Sequence, residues 1–107
     1  MERTQSITPS ELKERLDTGD HPELLDVREP WESELARIDG SRLVPMVELS
    51  ERVLELDPAA ETVVICHHGT RSAYVTRALT QAGFARVYNL EGGLDAYSDV
   101  DGSVPRY

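Results

Sequence analysis

The chain has 107 residues, 39% hydrophobic and 29% charged, a balance that allows one packed core and excludes an intrinsically disordered chain. Asp and Glu number 20 against 11 Lys and Arg, a formal net charge of −9, so the long-range field repels polyanions and nucleic acid is not expected as a partner. One cysteine cannot close an internal disulfide, "MERTQSITPS" lacks the apolar centre of a secretory signal, and no stretch approaches the ~18 consecutive apolar residues of a membrane helix. A cytoplasmic protein without a membrane partner is expected, folded as a single domain over residues 1–107.

The first element is a helix. "ITPSELKERLDTG" places Thr8 at the N-cap, Pro9 at the first helical position and Glu11 three residues after the cap, with Gly19 as the stop. "ELLDVR" follows as a strand, with Leu24, Leu25 and Val27 apolar, and "PWESELA" as a short helix from Pro30. "SRLVP" is a short strand, and "MVELSERVLEL" spaces Met46, Leu49, Val53, Leu54 and Leu56 near a helical period. "TVVIC" is a buried strand. "RSAYVTRALTQAGF" has Val75, Ala78, Leu79 and Ala82 at i, i+3, i+4 and i+7 and ends at Gly83. "ARVYNL" is the last strand and "GLDAYSDV" the last helix, after the Gly92–Gly93 turn.

Strands separated by helices of this length predict an α/β fold, a mostly parallel central sheet of about five strands with helices on both faces. Ligands of such sheets bind beyond the carboxyl ends of the strands, and Cys66 stands at one of these ends. In "CHHGTRS", residues 66–72, Gly69 permits a tight turn and the next residues begin a helix, so backbone N–H groups converge on a small anion-holding cradle. That positive helix end and Arg71 favour thiolate over thiol, which makes Cys66 a candidate nucleophile. Phosphatases that use Cys and Arg in this way separate them by five residues. Four intervene here, His67, His68, Gly69 and Thr70, and the smaller ring suits a sulfur atom better than a phosphoryl group. Adjacent histidines on one tight loop do not converge on an ion with Cys66, so no metal and no cofactor are expected. One of His67 and His68 is expected to line the pocket mouth and the other to face solvent.

The sequence resembles the single-domain rhodanese-like sulfurtransferases. "LLDVREPWESE" is similar to the family's Asp-Val-Arg segment with its following acidic residue, "CHHGTRSA" to its Cys-x-x-Gly-x-Arg-Ser loop, and "VYNLEGGLDAY" to its closing strand, turn and helix. The resemblance implies double displacement: Cys66 accepts a sulfane sulfur as a persulfide, then passes it on. It makes Cys66 and Arg71 catalytic, with His67, His68, Gly69, Thr70 and Ser72 around the substrate and Asp26, Arg28 and Glu32 as a supporting charge network under the loop. Ser72 is further expected to help start the helix, and Trp31 and Tyr74 to be packing residues.

The implied donors are thiosulfate or a persulfide-bearing protein; the implied acceptors are cyanide, a thiol or a sulfur-carrier protein. The alternatives are a noncatalytic rhodanese-like binding module and a phosphatase of the dual-specificity type. One segment departs from the family: "ARIDGS", residues 36–41, has Arg37 and Asp39 where a histidine and a proline are usual, which leaves the shape of that loop open. The tail "VDGSVPRY" resembles the end of rhodanese domains fused to adenylyltransferases.

Overall fold

The structure is a computed structural model that describes residues 5–107. Five strands, β1 (Ser6–Ile7), β2 (Glu23–Asp26), β3 (Arg42–Leu43), β4 (Thr62–Ile65) and β5 (Val87–Leu90), form one sheet in the order β1-β5-β4-β2-β3. Every pairing between them is parallel. The sheet predicted from the alternation of strands and helices is therefore present, with β4 at its centre.

The helices are α1 (Pro9–Asp17), α2 (Pro30–Leu35), α3 (Leu49–Arg52), α4 (Thr70–Gln81) and α5 (Gly93–Tyr97). At the start of α1 the Glu11 N–H donates to Thr8 Oγ1 at 3.1 Å and the Thr8 N–H donates to Glu11 Oε1 at 2.9 Å, the reciprocal cap read from the sequence. Thr8 thereby satisfies a helix end that would otherwise leave its first N–H groups without partners.

Side-chain alternation along the strands divides the core into two layers. Leu24, Val63, Ile65 and Leu90 pack with Leu12, Leu94 and Tyr97 of α1 and α5 on one face. Leu25, Val27, Val64, Cys66 and Val87 pack with Val75 and Leu79 of α4 on the other. Val75 and Leu79 are fully buried, and each contributes roughly 1.5–3 kcal/mol by leaving water. The same alternation turns Cys66, two residues beyond Val64, toward α4.

Three departures from the sequence reading have physical causes. β1 was not anticipated, because two residues with one apolar side chain, Ile7, carry no periodic signal; its pairing with Asn89 and Leu90 holds it at the sheet edge. "MVELSERVLEL" is not one helix but a tight turn over Met46–Glu48, the single turn α3, and a second tight turn over Val53–Glu55. Met46 to Leu49 and Val53 to Leu56 are three residues apart, the period of 3₁₀ turns, and these four side chains pack on the core while Leu54 is 95% exposed. Ala78 of α4 and Ala82 just beyond its end are exposed, whereas Thr76 is buried along with Val75 and Leu79.

Candidate functional site

The chain runs from β2 to β3 on one side and from β4 to β5 on the other, so the direction of winding changes between β2 and β4. Parallel sheets bind ligands beyond the carboxyl ends of their strands at such a point. Cys66 is the first residue after β4 and is 1% exposed. Its Sγ accepts the Gly69 N–H at 3.0 Å and the Ser72 N–H at 3.3 Å, and lies 3.1 Å from Ser72 Oγ. Gly69, at φ 94°, turns the backbone in the left-handed region and starts α4. The loop therefore curls around the sulfur and directs two amide dipoles at it.

The first turn of α5 fastens the other side of the loop. Leu94 N–H donates to the Cys66 carbonyl at 2.8 Å and Asp95 N–H to the His67 carbonyl at 3.0 Å. Gly93 has φ 63°, and a Cβ there would lie 2.4 Å from His67 O and 2.6 Å from Cys66 O. The second glycine of "EGG" is thus required by close backbone approach as well as by its left-handed conformation.

Glu32, on α2 and 3% exposed, receives Arg71 at both oxygens, Nη1 to Oε2 at 2.7 Å and Nη2 to Oε1 at 2.8 Å. Oε2 also accepts the Glu29 N–H at 2.9 Å and Oε1 the Tyr107 hydroxyl at 2.9 Å. The Arg71 bonds, opposed by burial and reinforced by the other two donors, hold the Glu32 carboxyl at about 2. Glu32 in turn raises Arg71 above its ordinary value, with the field of Cys66 adding to the effect. Beneath this pair Arg28 is wholly buried. It donates to both oxygens of Asp26 at 2.8 and 2.7 Å, to the Ala36 carbonyl at 2.6 Å and to Tyr107 Oη at 2.9 Å. Burial lowers the Arg28 value, but its bonds to Asp26 and Tyr107 outweigh that and keep it raised.

The Rhodanese-like domain model matches residues 8–99. The chain belongs to the rhodanese-like family. Among curated relatives of this family, the probable adenylyltransferase/sulfurtransferase MoeZ of Mycobacterium tuberculosis is 37% identical over 95 residues. That match covers 87% of this chain and 24% of MoeZ, so the chain spans about a quarter of that relative's length. The thiosulfate sulfurtransferase GlpE of Pseudomonas paraeruginosa is 30% identical, covering 90% of this chain and 86% of GlpE. Among solved structures, a rhodanese-related protein of Thermoplasma volcanium has a TM-score of 0.84 at 32% identity, covering 96% of this chain and 99% of that one.

In this rhodanese-like chain the structure brings Cys66, Gly69 and Ser72 together around the sulfur and pairs Arg71 of the same loop with Glu32, next to the Asp26–Arg28 pair. Ser72, expected to help start the helix, is fully buried and bonds the sulfur. His67 is partly buried against Tyr107, with ring centroids 3.9 Å apart, whereas the His68 side chain is 65% exposed. Thr70 is exposed at the first position of α4. Trp31 and Tyr74, expected to pack, are 59% and 64% exposed; Trp31 meets Tyr107 edge-on at 6.4 Å.

The departing segment 36–41 forms a turn in which Ser41 N and Oγ both donate to the Ile38 carbonyl, at 3.2 and 2.7 Å, and Ile38 is buried. Arg37 and Asp39 lie on its exposed side, so the turn closes without the usual histidine and proline. Among the described residues, no group of three or more His, Cys, Asp or Glu is arranged to hold a metal ion, and no helix is long and apolar enough to cross a membrane.

Two residues of the site were not read from the sequence, Asn89 and Tyr107. Asn89 Oδ1 accepts the Ser72 hydroxyl at 2.5 Å, and its Nδ2 donates to the Gly69 carbonyl at 3.3 Å. Strand parity carried a signal for Asn89: it is two residues from buried Val87, and it is paired with Val64, so it shares the face of Cys66.

Proposed function

We propose that this chain is a sulfurtransferase that carries sulfane sulfur as a persulfide on Cys66. The observation that supports this most directly is the buried Sγ within reach of two backbone N–H groups and a serine hydroxyl. Such a cradle stabilises negative charge on sulfur without reorganising when that charge develops. The relatives MoeZ and GlpE carry sulfurtransferase in their names, which agrees with it.

In the first step the Cys66 thiolate attacks the outer sulfur of a donor persulfide, R–S–SH. The new Cys66 S–S bond forms as the donor S–S bond breaks, R–S⁻ departs, and Cys66 holds the –S–SH group. In the second step a nucleophilic acceptor attacks that outer sulfur and the Cys66 thiolate returns, with no net oxidation. Ser72 responds to both states. When Cys66 carries its own proton, the serine hydroxyl donates to Asn89 Oδ1; when the sulfur is ionised, the same hydroxyl rotates to donate to it. Arg71 of the loop has its charge compensated by Glu32, and the chain carries −9, so a thiol-borne persulfide is a better match than the thiosulfate dianion.

Intact-mass analysis after exposure to thiosulfate and, separately, to a persulfide donor tests the reading. We expect one added sulfur on Cys66, faster from the persulfide, and none on Cys66→Ser. Failure of both donors to load the unaltered protein under non-reducing conditions refutes it and leaves the noncatalytic binding module.

A further inference from the structure

Tyr107 lies 75 residues from Glu32 and 79 from Arg28 along the chain, yet its hydroxyl bridges the Glu32 carboxylate and the Arg28 guanidinium, which also reaches the Glu32 carbonyl at 3.3 Å. The direction of each bond is fixed by chemistry. Arg28 has only donors and ionised Glu32 only acceptors, so the phenol oxygen accepts from Nη1 of Arg28 and its proton goes to Oε1 of Glu32, both at 2.9 Å. Burial pushes the phenol up to about 12, so the proton needed for the second bond stays in place at neutral pH.

The ring acts on a second part of the site. It stacks on His67 with an interplanar angle of 13°, and His68 stacks on His67 as well, with centroids 3.9 Å apart. His67 Nε2 is buried there without a hydrogen-bond partner, so packing rather than polar bonding holds this ring. His67 is the residue after Cys66. The segment that delivers Tyr107 is tied down in turn: Val104 is buried in the core, and Arg106 Nη2 donates to the Asp95 carbonyl at 2.9 Å and pairs with Asp99.

We propose that Tyr107 is a positioning residue for sulfur transfer, its hydroxyl fixing the Glu32 carboxylate that aims Arg71 and its ring bracing the catalytic loop at His67. The inference rests on the sulfurtransferase reading above. Glu32 Oε1 receives two bonds, one from Arg71 and one from Tyr107. Removing the second leaves the Glu29 N–H at Oε2 as the carboxylate's one bond from a group other than Arg71, and so loosens the aim of the guanidinium. A plug that merely covered the loop would need no bond to either charged partner.

The test compares Tyr107→Phe, which keeps the ring and loses the hydroxyl, with Tyr107→Ala, which loses both, in single-turnover transfer from a persulfide donor. Phe should slow transfer about tenfold and lower Tm by several degrees, because the hydroxyl serves two buried charged groups, and Ala should slow transfer further. In a Glu32→Gln background, Tyr107→Phe should add little, because the carboxylate through which the hydroxyl acts is gone. A purely structural role predicts equal losses in both backgrounds.

Phe at the native rate, or Ala faster than the native protein, overturns the proposal. In the unaltered protein the Tyr107 phenolic proton should appear by NMR as a slowly exchanging signal, and its absence also overturns it, which covers a variant that fails to fold. Loading of native Cys66 by mass spectrometry separates the two readings. No loading sinks the sulfurtransferase, whereas loading with unaffected Tyr107 variants sinks only this inference.

Discussion

Glu32→Gln isolates the ion pair with Arg71 of the loop, because it keeps the side chain's shape and removes its charge. The Glu32 carboxyl is held at about 2 against an ordinary 4.5, chiefly by Arg71, so its folded value is depressed. A depressed carboxyl contributes stability that is complete above about 4.5 and is lost as pH falls toward about 2. A gap of about 2.5 units at ~1.4 kcal/mol each gives on the order of 3 kcal/mol at pH 7 and roughly half of that at pH 3.

The geometry supports the same size by a separate route. Breaking a buried ion pair costs about 3–5 kcal/mol, and the lower end applies because the Arg71 side chain is 34% exposed and retains some hydration. Urea denaturation of native protein and Glu32→Gln across pH 3 to 7 measures the difference. It should be level from pH 7 to about pH 5 and shrink below that toward pH 3. A difference below about 1 kcal/mol at pH 7, or one that does not vary with pH, refutes the assignment of the pair as the source of the stability.

Two further substitutions probe the loop itself. Gly93→Ala forces a Cβ to 2.4 Å from the His67 carbonyl at a φ of 63°, and should cost about 3 kcal/mol and abolish sulfur loading; a native melting temperature would show that the approach of α5 to the loop is looser than described. Ser72→Ala removes the hydroxyl that serves both Cys66 and Asn89, and should slow transfer by about tenfold in a single-turnover assay, a rate equal to the native one counting against the serine's part in the cradle.

Local chemistry explains which parts of the molecule could be read in advance. The cap of α1 and the turn at Gly69 are set by residues within a few positions of one another, and Cys66, Gly69, Arg71 and Ser72 come from a single loop. The network of Asp26, Arg28 and Glu32 was legible only through the family resemblance, because Glu32 takes its partners Arg71 and Tyr107 from distant parts of the chain. Tyr107 was not, because its partners are fixed only when the end of the described chain returns across α5. Trp31 is exposed rather than packed for a related reason: α2 buries Glu32 instead, whose partners Arg71 and Tyr107 come from distant parts of the chain. The turn at 46–55 failed on period, since spacing of three and spacing of 3.6 are indistinguishable over one or two turns.

The distribution of charge at the site bears on which anion it can hold. Arg71 is bound at two of its nitrogens by Glu32, and Arg28 by Asp26, so each guanidinium of the network has its own carboxylate. What remains directed at Sγ is the pair of backbone dipoles and the hydroxyl of Ser72. Fixed dipoles of this kind stabilise one negative charge on one atom, whereas a phosphoryl dianion spreads its charge over three oxygens and calls for cations that are not already paired. The four-residue spacing from Cys66 to Arg71 and the compensation of both arginines therefore favour the same occupant, a single sulfur bonded to Cys66 and carrying at most one charge.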